Sequence, residues 1–165
     1  MENIEFLIIH STGTPAGVSV TADSIRRYHL NSLGWSKPGY FALIKLDGSV
    51  ESVWDFDLKS GLANSEITNG MKWTVKSTPF IKRSIQLCYA GGAEGGLPAD
   101  TRSKAQKETM LTLIKLITEL NPGIRTGGHR DFPDQTTGCP GFDVRNWLLS
   151  EGIPSKNIFS KEVYL

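Results

Sequence analysis

The stretch Phe6-Leu7-Ile8-Ile9-His10-Ser11-Thr12 decides the fold. Its apolar run is continuous rather than alternating, which reads as a strand over residues 5–10 buried on both faces. Such a strand needs covering elements on either side, and the rest of the chain supplies them. Thr21 can cap a helix that carries Ile25, Tyr28 and His29 at helical spacing and stops near Gly34. Residues 40–46 and 50–53 are strand-like and flank Asp47-Gly48, a strong hairpin signal. Residues 84–90 give another strand, closed by Gly91-Gly92 and followed by a flexible stretch through Gly95-Gly96 and Pro98.

The clearest helix spans residues 104–120. Ser103 with Gln106 makes a capping box, and Met110, Leu113, Ile114, Ile117 and Leu120 form its apolar face. Asn121-Pro122-Gly123 ends it. A last helix starts after Asp143 with Val144, Trp147 and Leu148, and the tail beyond Pro154 is expected to lie loosely on the surface. Residues 55–80 are rich in loop signals and receive no element. The expectation is one α/β domain over residues 1–165, a mixed central β-sheet flanked by helices, with a core at about 5–150 and a tail at 151–165.

Composition excludes several classes of function. Lys+Arg of 18 against Asp+Glu of 17 leaves a net charge of +1, so no strong field draws the chain to nucleic acid or to a membrane surface. The apolar runs fall far short of the ~20 residues that a membrane-inserted helix needs. Met1-Glu2-Asn3-Ile4-Glu5 lacks the basic start and apolar core of a secretion signal, so synthesis in the cytoplasm is expected. Two cysteines make no disulfide framework. Cys88, inside a strand, reads as a buried inert thiol; a bridge to Cys139 is the competing reading.

Three side chains carry metal chemistry. His10 closes the first strand, His129 sits in Gly127-Gly128-His129-Arg130-Asp131, and Cys139 lies in Thr136-Thr137-Gly138-Cys139-Pro140-Gly141. His129 and Cys139 are ten positions apart across a Gly/Pro/Asp/Thr-rich loop that can fold back on itself. Two imidazoles and one thiolate suit Zn2+, one ion per chain, and leave the fourth tetrahedral position open, as in a catalytic site. Asp131 is either a partner of a ligand or part of an ordinary loop ion pair. His29 is expected to pack or to line a groove. Trp35, near the Gly39-Tyr40 turn, is either a groove wall or a core residue.

From Phe6 to Trp147 the chain resembles the zinc-dependent N-acetylmuramoyl-L-alanine amidases of the phage-lysozyme and peptidoglycan-recognition-protein type. The resemblance rests on Ile8-Ile9-His10-Ser11-Thr12, on Gly34-Trp35 and Gly39-Tyr40 ahead of Asp47-Gly48, and on Ser84-Ile85 with Gly91-Gly92. Gly128-His129-Arg130-Asp131 and Cys139-Pro140-Gly141-Phe142-Asp143 complete it. It implies zinc held by His10, His129 and Cys139 in a groove, and cleavage of the amide between N-acetylmuramic acid and L-alanine. It implies a catalytic role for Tyr40, and for Thr137, which stands where many relatives carry Lys or Thr. Where many relatives carry Gly-Ala-His on the groove rim, this chain has Leu62-Ala63-Asn64, making Asn64 the expected substrate contact there. The implied partner is peptidoglycan or a muropeptide, bound by a monomer that reaches the cell wall by a phage-type lysis route. The alternative is a non-catalytic peptidoglycan-binding module of the same fold.

Overall fold

The computed structural model describes residues 4–35, 37–54, 80, 83–133 and 135–161. Asn64, and the loop signals expected over residues 55–79, lie outside the described residues.

A five-stranded mixed sheet organises the domain. Its strands are β1 (Phe6–Ser11), β3 (Ala42–Ile44), β4 (Val50–Ser52), β5 (Ser84–Tyr89) and β8 (Arg125–Gly128), in the order β4-β3-β5-β1-β8. β1 is parallel to both its neighbours, pairing His10 with Cys88 and Ile9 with Gly128, and every residue of it is buried. That is the environment its continuous apolar run requires. β3 and β4 form the antiparallel hairpin around Asp47-Gly48. Gly48 takes φ +84°, and a Cβ there would meet Ala105 and Thr109, so the turn needs glycine twice over.

Side-chain alternation sorts the sheet's two faces. Leu7, Ile9, Ile85, Leu87 and Tyr89 face a core built with α2 (Lys104–Leu120) and α3 (Val144–Ser150). The stripe Met110, Ile114 and Ile117 buries that side of α2, at roughly 1.5–3 kcal/mol for each large side chain. Leu120, expected on the same stripe, is 72% exposed at the helix end. The capping box forms as expected, and Gln106 does more than cap: its amide donates to the carbonyls of Ile44 and Ala90, tying the helix start to β3 and to the chain after β5. Asp143 caps α3 by accepting from the Asn146 N–H.

The opposite face carries α1 (Ala22–Arg27), capped by Thr21, followed by one π-helical turn at Tyr28–Ser32. Ile25 and His29 point inward, whereas Tyr28, expected on the same face, is 56% exposed. An aromatic cluster of Phe6, Phe80, Phe132 and Phe159 fills the other half of this face.

Arg125–Gly128, given no element from the sequence, is a strand, because the edge of β1 supplies its hydrogen-bonding partner. Two local readings are corrected. The stretch after Gly91-Gly92 is not irregular. Gly92–Glu94 (β6) and Leu97–Pro98 (β7) form a hairpin that joins Thr14–Pro15 (β2) in a second sheet of order β2-β6-β7. The tail is not loose either. Ile158 and Phe159 are buried, Ile158 bridges to Thr126, and the Asn157 amide donates to the carbonyls of Pro122 and Ile124.

Candidate metal centre

His10 lies at the carboxyl end of β1 and His129 directly follows β8, so the parallel strands deliver both rings to one end of the sheet, where α/β folds commonly place ligands. Cys139 arrives from the loop between β8 and α3. The Arg130 N–H donates to the Cys139 carbonyl at 2.9 Å, folding that loop back so that the two ligand-bearing stretches lie side by side. Gly141 permits the fold: its φ is +89°, and a Cβ there would come within 2.4 Å of the Ala99 carbonyl oxygen.

The donor atoms of His10, His129 and Cys139 all lie within 4.8 Å of one another. His10 Nδ1 is 3.8 Å from Cys139 Sγ, and the two imidazole centroids are 4.5 Å apart. Tetrahedral zinc at ordinary bond lengths separates such donors by ~3.3–3.6 Å, so small side-chain rotations would close the site. Both cysteines are free thiols; Cys88 is fully buried, and no bridge joins it to Cys139.

Each imidazole is held by its far nitrogen. His10 Nε2 meets Gln86 Oε1 at 2.5 Å and His129 Nε2 meets Gln135 Oε1 at 2.9 Å. A carbonyl oxygen can only accept, so both Nε2 atoms carry the proton and both Nδ1 lone pairs are left for an ion. Burial, together with His129, holds His10 well below its ordinary value, and burial lowers His129 as well. Both rings are therefore neutral and ready to ligate. Burial pushes the Cys139 thiol up, opposed by the N–H of Ser11, which donates to Sγ. This donor set fits zinc, with deprotonation of the thiol left to the metal.

Tyr40 stands over the centre, its ring 5.2 Å from His10. Burial, with the Cys88 and Cys139 sulfurs adding to it, raises its phenol well above 10, so Tyr40 keeps its proton and can donate. Thr137 lines the same cavity, of about 340 Å³, and its hydroxyl oxygen accepts from the Cys139 N–H. Gly96, Leu97 and Pro98 make the facing wall. A second cavity of about 350 Å³, between α1 and the β1–β2 turn, shares Thr12 and Tyr40 with the first and is lined by His29 and Tyr28. His29 accepts from the Gly39 N–H, and burial lowers it to about 4. Trp35 lies against His29, the ring centroids 4.5 Å apart and the planes tilted by 33°. Asp131 accepts from the Gly128 N–H at 2.8 Å, which braces the turn carrying His129.

Gln86, Gln135 and Ser11 were not singled out from sequence. A glutamine inside the buried run Ser84-Ile85-Gln86-Leu87-Cys88 was the one available signal, since a buried amide must find partners.

The fold and the site define an α/β domain with a His-His-Cys centre at the carboxyl end of its sheet. No protein-family model matches the chain. It is similar to the endolysin of Klebsiella phage KP32, at 27% identity over 142 residues, covering 86% of this chain and 83% of the phage protein. The endolysin and N-acetylmuramoyl-L-alanine amidase LysCS of Clostridium intestinale superposes with a TM-score of 0.64 at 16% identity, over 92% of this chain and 86% of its own. Drosophila peptidoglycan recognition protein LB superposes with a TM-score of 0.63 at 20% identity, over 93% and 84%. The chain is thus similar in sequence to phage endolysins and shares the fold of the amidase and peptidoglycan-recognition-protein structures.

Proposed function

We propose that this protein is a zinc-dependent peptidoglycan hydrolase of the endolysin kind that cleaves the amide between N-acetylmuramic acid and the L-alanine of the stem peptide. The observation that carries the reading is the convergence of two imidazoles and one thiol within 4.8 Å, beside an open cavity. The similarity to phage endolysins supports the substrate class, and the amidase neighbour supports the bond.

Bound by His10, His129 and Cys139, zinc would supply a Lewis acid that acidifies water and polarises an amide carbonyl. The chain's own groups do the rest. Half-buried Tyr40 keeps its phenolic proton and donates it as a hydrogen bond to the amide oxygen as negative charge develops there. Thr137 offers its hydroxyl proton to the same cavity while its oxygen is engaged by the Cys139 N–H. The adjoining cavity by α1, with His29 and Tyr28 in its wall, is where a substrate longer than the scissile amide would extend. Its His29 stays neutral at physiological pH, so recognition there rests on shape and hydrogen bonding.

The test is elemental analysis for one zinc per chain, paired with mass analysis of products from defined muropeptides with and without a chelator. Free stem peptide beginning at L-alanine, released only when zinc is present, is the expected result. A zinc-loaded protein that cuts no muropeptide, or cuts a glycosidic bond instead, overturns the reading.

A further inference from the structure

Gln86 sits on β5 two residues before Cys88, the register partner of His10. It is therefore the diagonal neighbour of His10 on the same face of the sheet. It is fully buried, and its Oε1 contacts His10 Nε2 at 2.5 Å. Its amide nitrogen donates to Ser84 Oγ at 3.1 Å, with Oε1 turned to the imidazole.

We infer that Gln86 is a positioning residue for the metal centre: it locks His10 in the Nε2–H tautomer and turns Nδ1 toward Cys139. The inference rests on the zinc reading given above, and it concerns this chain's own hydrogen bond. With Oε1 as its partner, His10 carries its proton on Nε2, and that leaves the lone pair on Nδ1. Nδ1 is the atom that lies 3.8 Å from Cys139 Sγ. Gln135 repeats the arrangement on His129 from a half-buried loop position. The Gln86 contact is the more constraining of the two, because the sheet sets the register of both partners and water has no access to compete. A neutral amide also adds no charge to the centre, so two imidazoles and one thiolate remain its whole donor charge.

Zinc affinity by chelator competition is the readout, on the full chain with wild type, Gln86→Met and Gln86→Glu. Met keeps the length and removes the acceptor; Glu keeps the acceptor. Gln86→Met should bind zinc ~10–100-fold more weakly, in line with the loss of an outer partner of a ligating histidine. Gln86→Glu should return to within a few-fold of wild type. Equal affinity in wild type and Gln86→Met, or equal losses in both variants, overturns the inference. Nitrogen NMR of the His10 ring in metal-free wild type decides the matter without any variant: Nε2–H is expected, and Nδ1–H would overturn it. A wild type that binds no zinc would remove the proposed function, while that spectrum still decides the role of Gln86.

Discussion

The backbone N–H of Ser11 donates to Cys139 Sγ at 3.3 Å, across 128 residues of chain. Ser11 is the last residue of β1, so the strand that presents His10 also supplies a donor to the sulfur. Gly92 makes room for this: a Cβ there would come within 2.3 Å of the Ser11 side chain. An N–H donor favours the thiolate over the thiol, which is the form a metal requires. Cys139→Ser keeps size and polarity but replaces a soft ligand with a hydroxyl that does not ionise near neutrality. It should lose at least tenfold in zinc affinity and nearly all hydrolysis, with the unfolding midpoint of the metal-free protein nearly unchanged. Competition with a chromogenic chelator and muropeptide turnover check both parts, and turnover equal to wild type would remove Cys139 from the chemistry.

Tyr40→Phe separates catalysis from metal binding. The ring packs against His10 and His29, contacts that phenylalanine preserves. Only the phenolic donor is lost, so kcat should fall ~10²–10³-fold, the usual consequence of deleting one donor to a developing oxyanion. Zinc content should match wild type. Thr137→Ala behaves differently, because it also removes the acceptor of the Cys139 N–H. It should weaken zinc binding as well as turnover. Steady-state kinetics beside metal analysis distinguishes the two patterns.

What the sequence revealed followed from periodicity and chemistry, and what it hid followed from long-range pairing. β1 and α2 were legible because a continuous apolar run and a 3–4 spacing each have one structural solution. The convergence of His10, His129 and Cys139 was legible because two histidines and a cysteine in that context have few other uses. β8 was not: Arg125-Thr126-Gly127-Gly128 has no strand preference of its own and exists because β1 offers an edge. Ile158-Phe159 is too short to show any period, so its burial is decided by a groove that other segments create. Gln86 announced that a buried amide needed partners, but which partners depends on the register of β1 against β5.

The tail should matter to stability. Phe159 is stacked on Phe132 at 4.1 Å and edge-on to Phe6 and Phe80. Phe159→Ala should cost ~3–5 kcal/mol, since the cluster cannot close a ring-sized cavity. Asn157→Ala leaves the carbonyls of Pro122 and Ile124 without the amide that satisfies them, at ~1–3 kcal/mol. Phe132 lies in the loop that carries His129, so Phe159→Ala should also weaken zinc binding. Urea denaturation checks the energies. A loss below ~1 kcal/mol for Phe159→Ala would mean that the tail is dispensable.

Stability of the metal-free protein should fall as pH drops from 6.5 toward 4. Burial lowers His29 to about 4 from its ordinary 6.5, so between those values the unfolded chain takes up a proton that the folded chain refuses. The contribution is full above 6.5 and disappears as pH falls through about 4. His10 and His129, also held below 6.5, act in the same direction. Asp47, Glu51 and Asp100 are held below their ordinary values too, but their contributions fade only at more acid pH. Asp131, raised by burial, works the other way and partly offsets the loss in the acid range. His29→Gln should therefore flatten part of the slope between pH 6.5 and 4 and leave the region above pH 7 unaffected. Zinc should steepen it, because protons and metal compete for His10 and His129. Urea midpoints at pH 7, 5.5 and 4.5, with and without zinc, measure both effects; midpoints that do not move with pH would show that His29 is as free to charge in the folded chain as in the unfolded one.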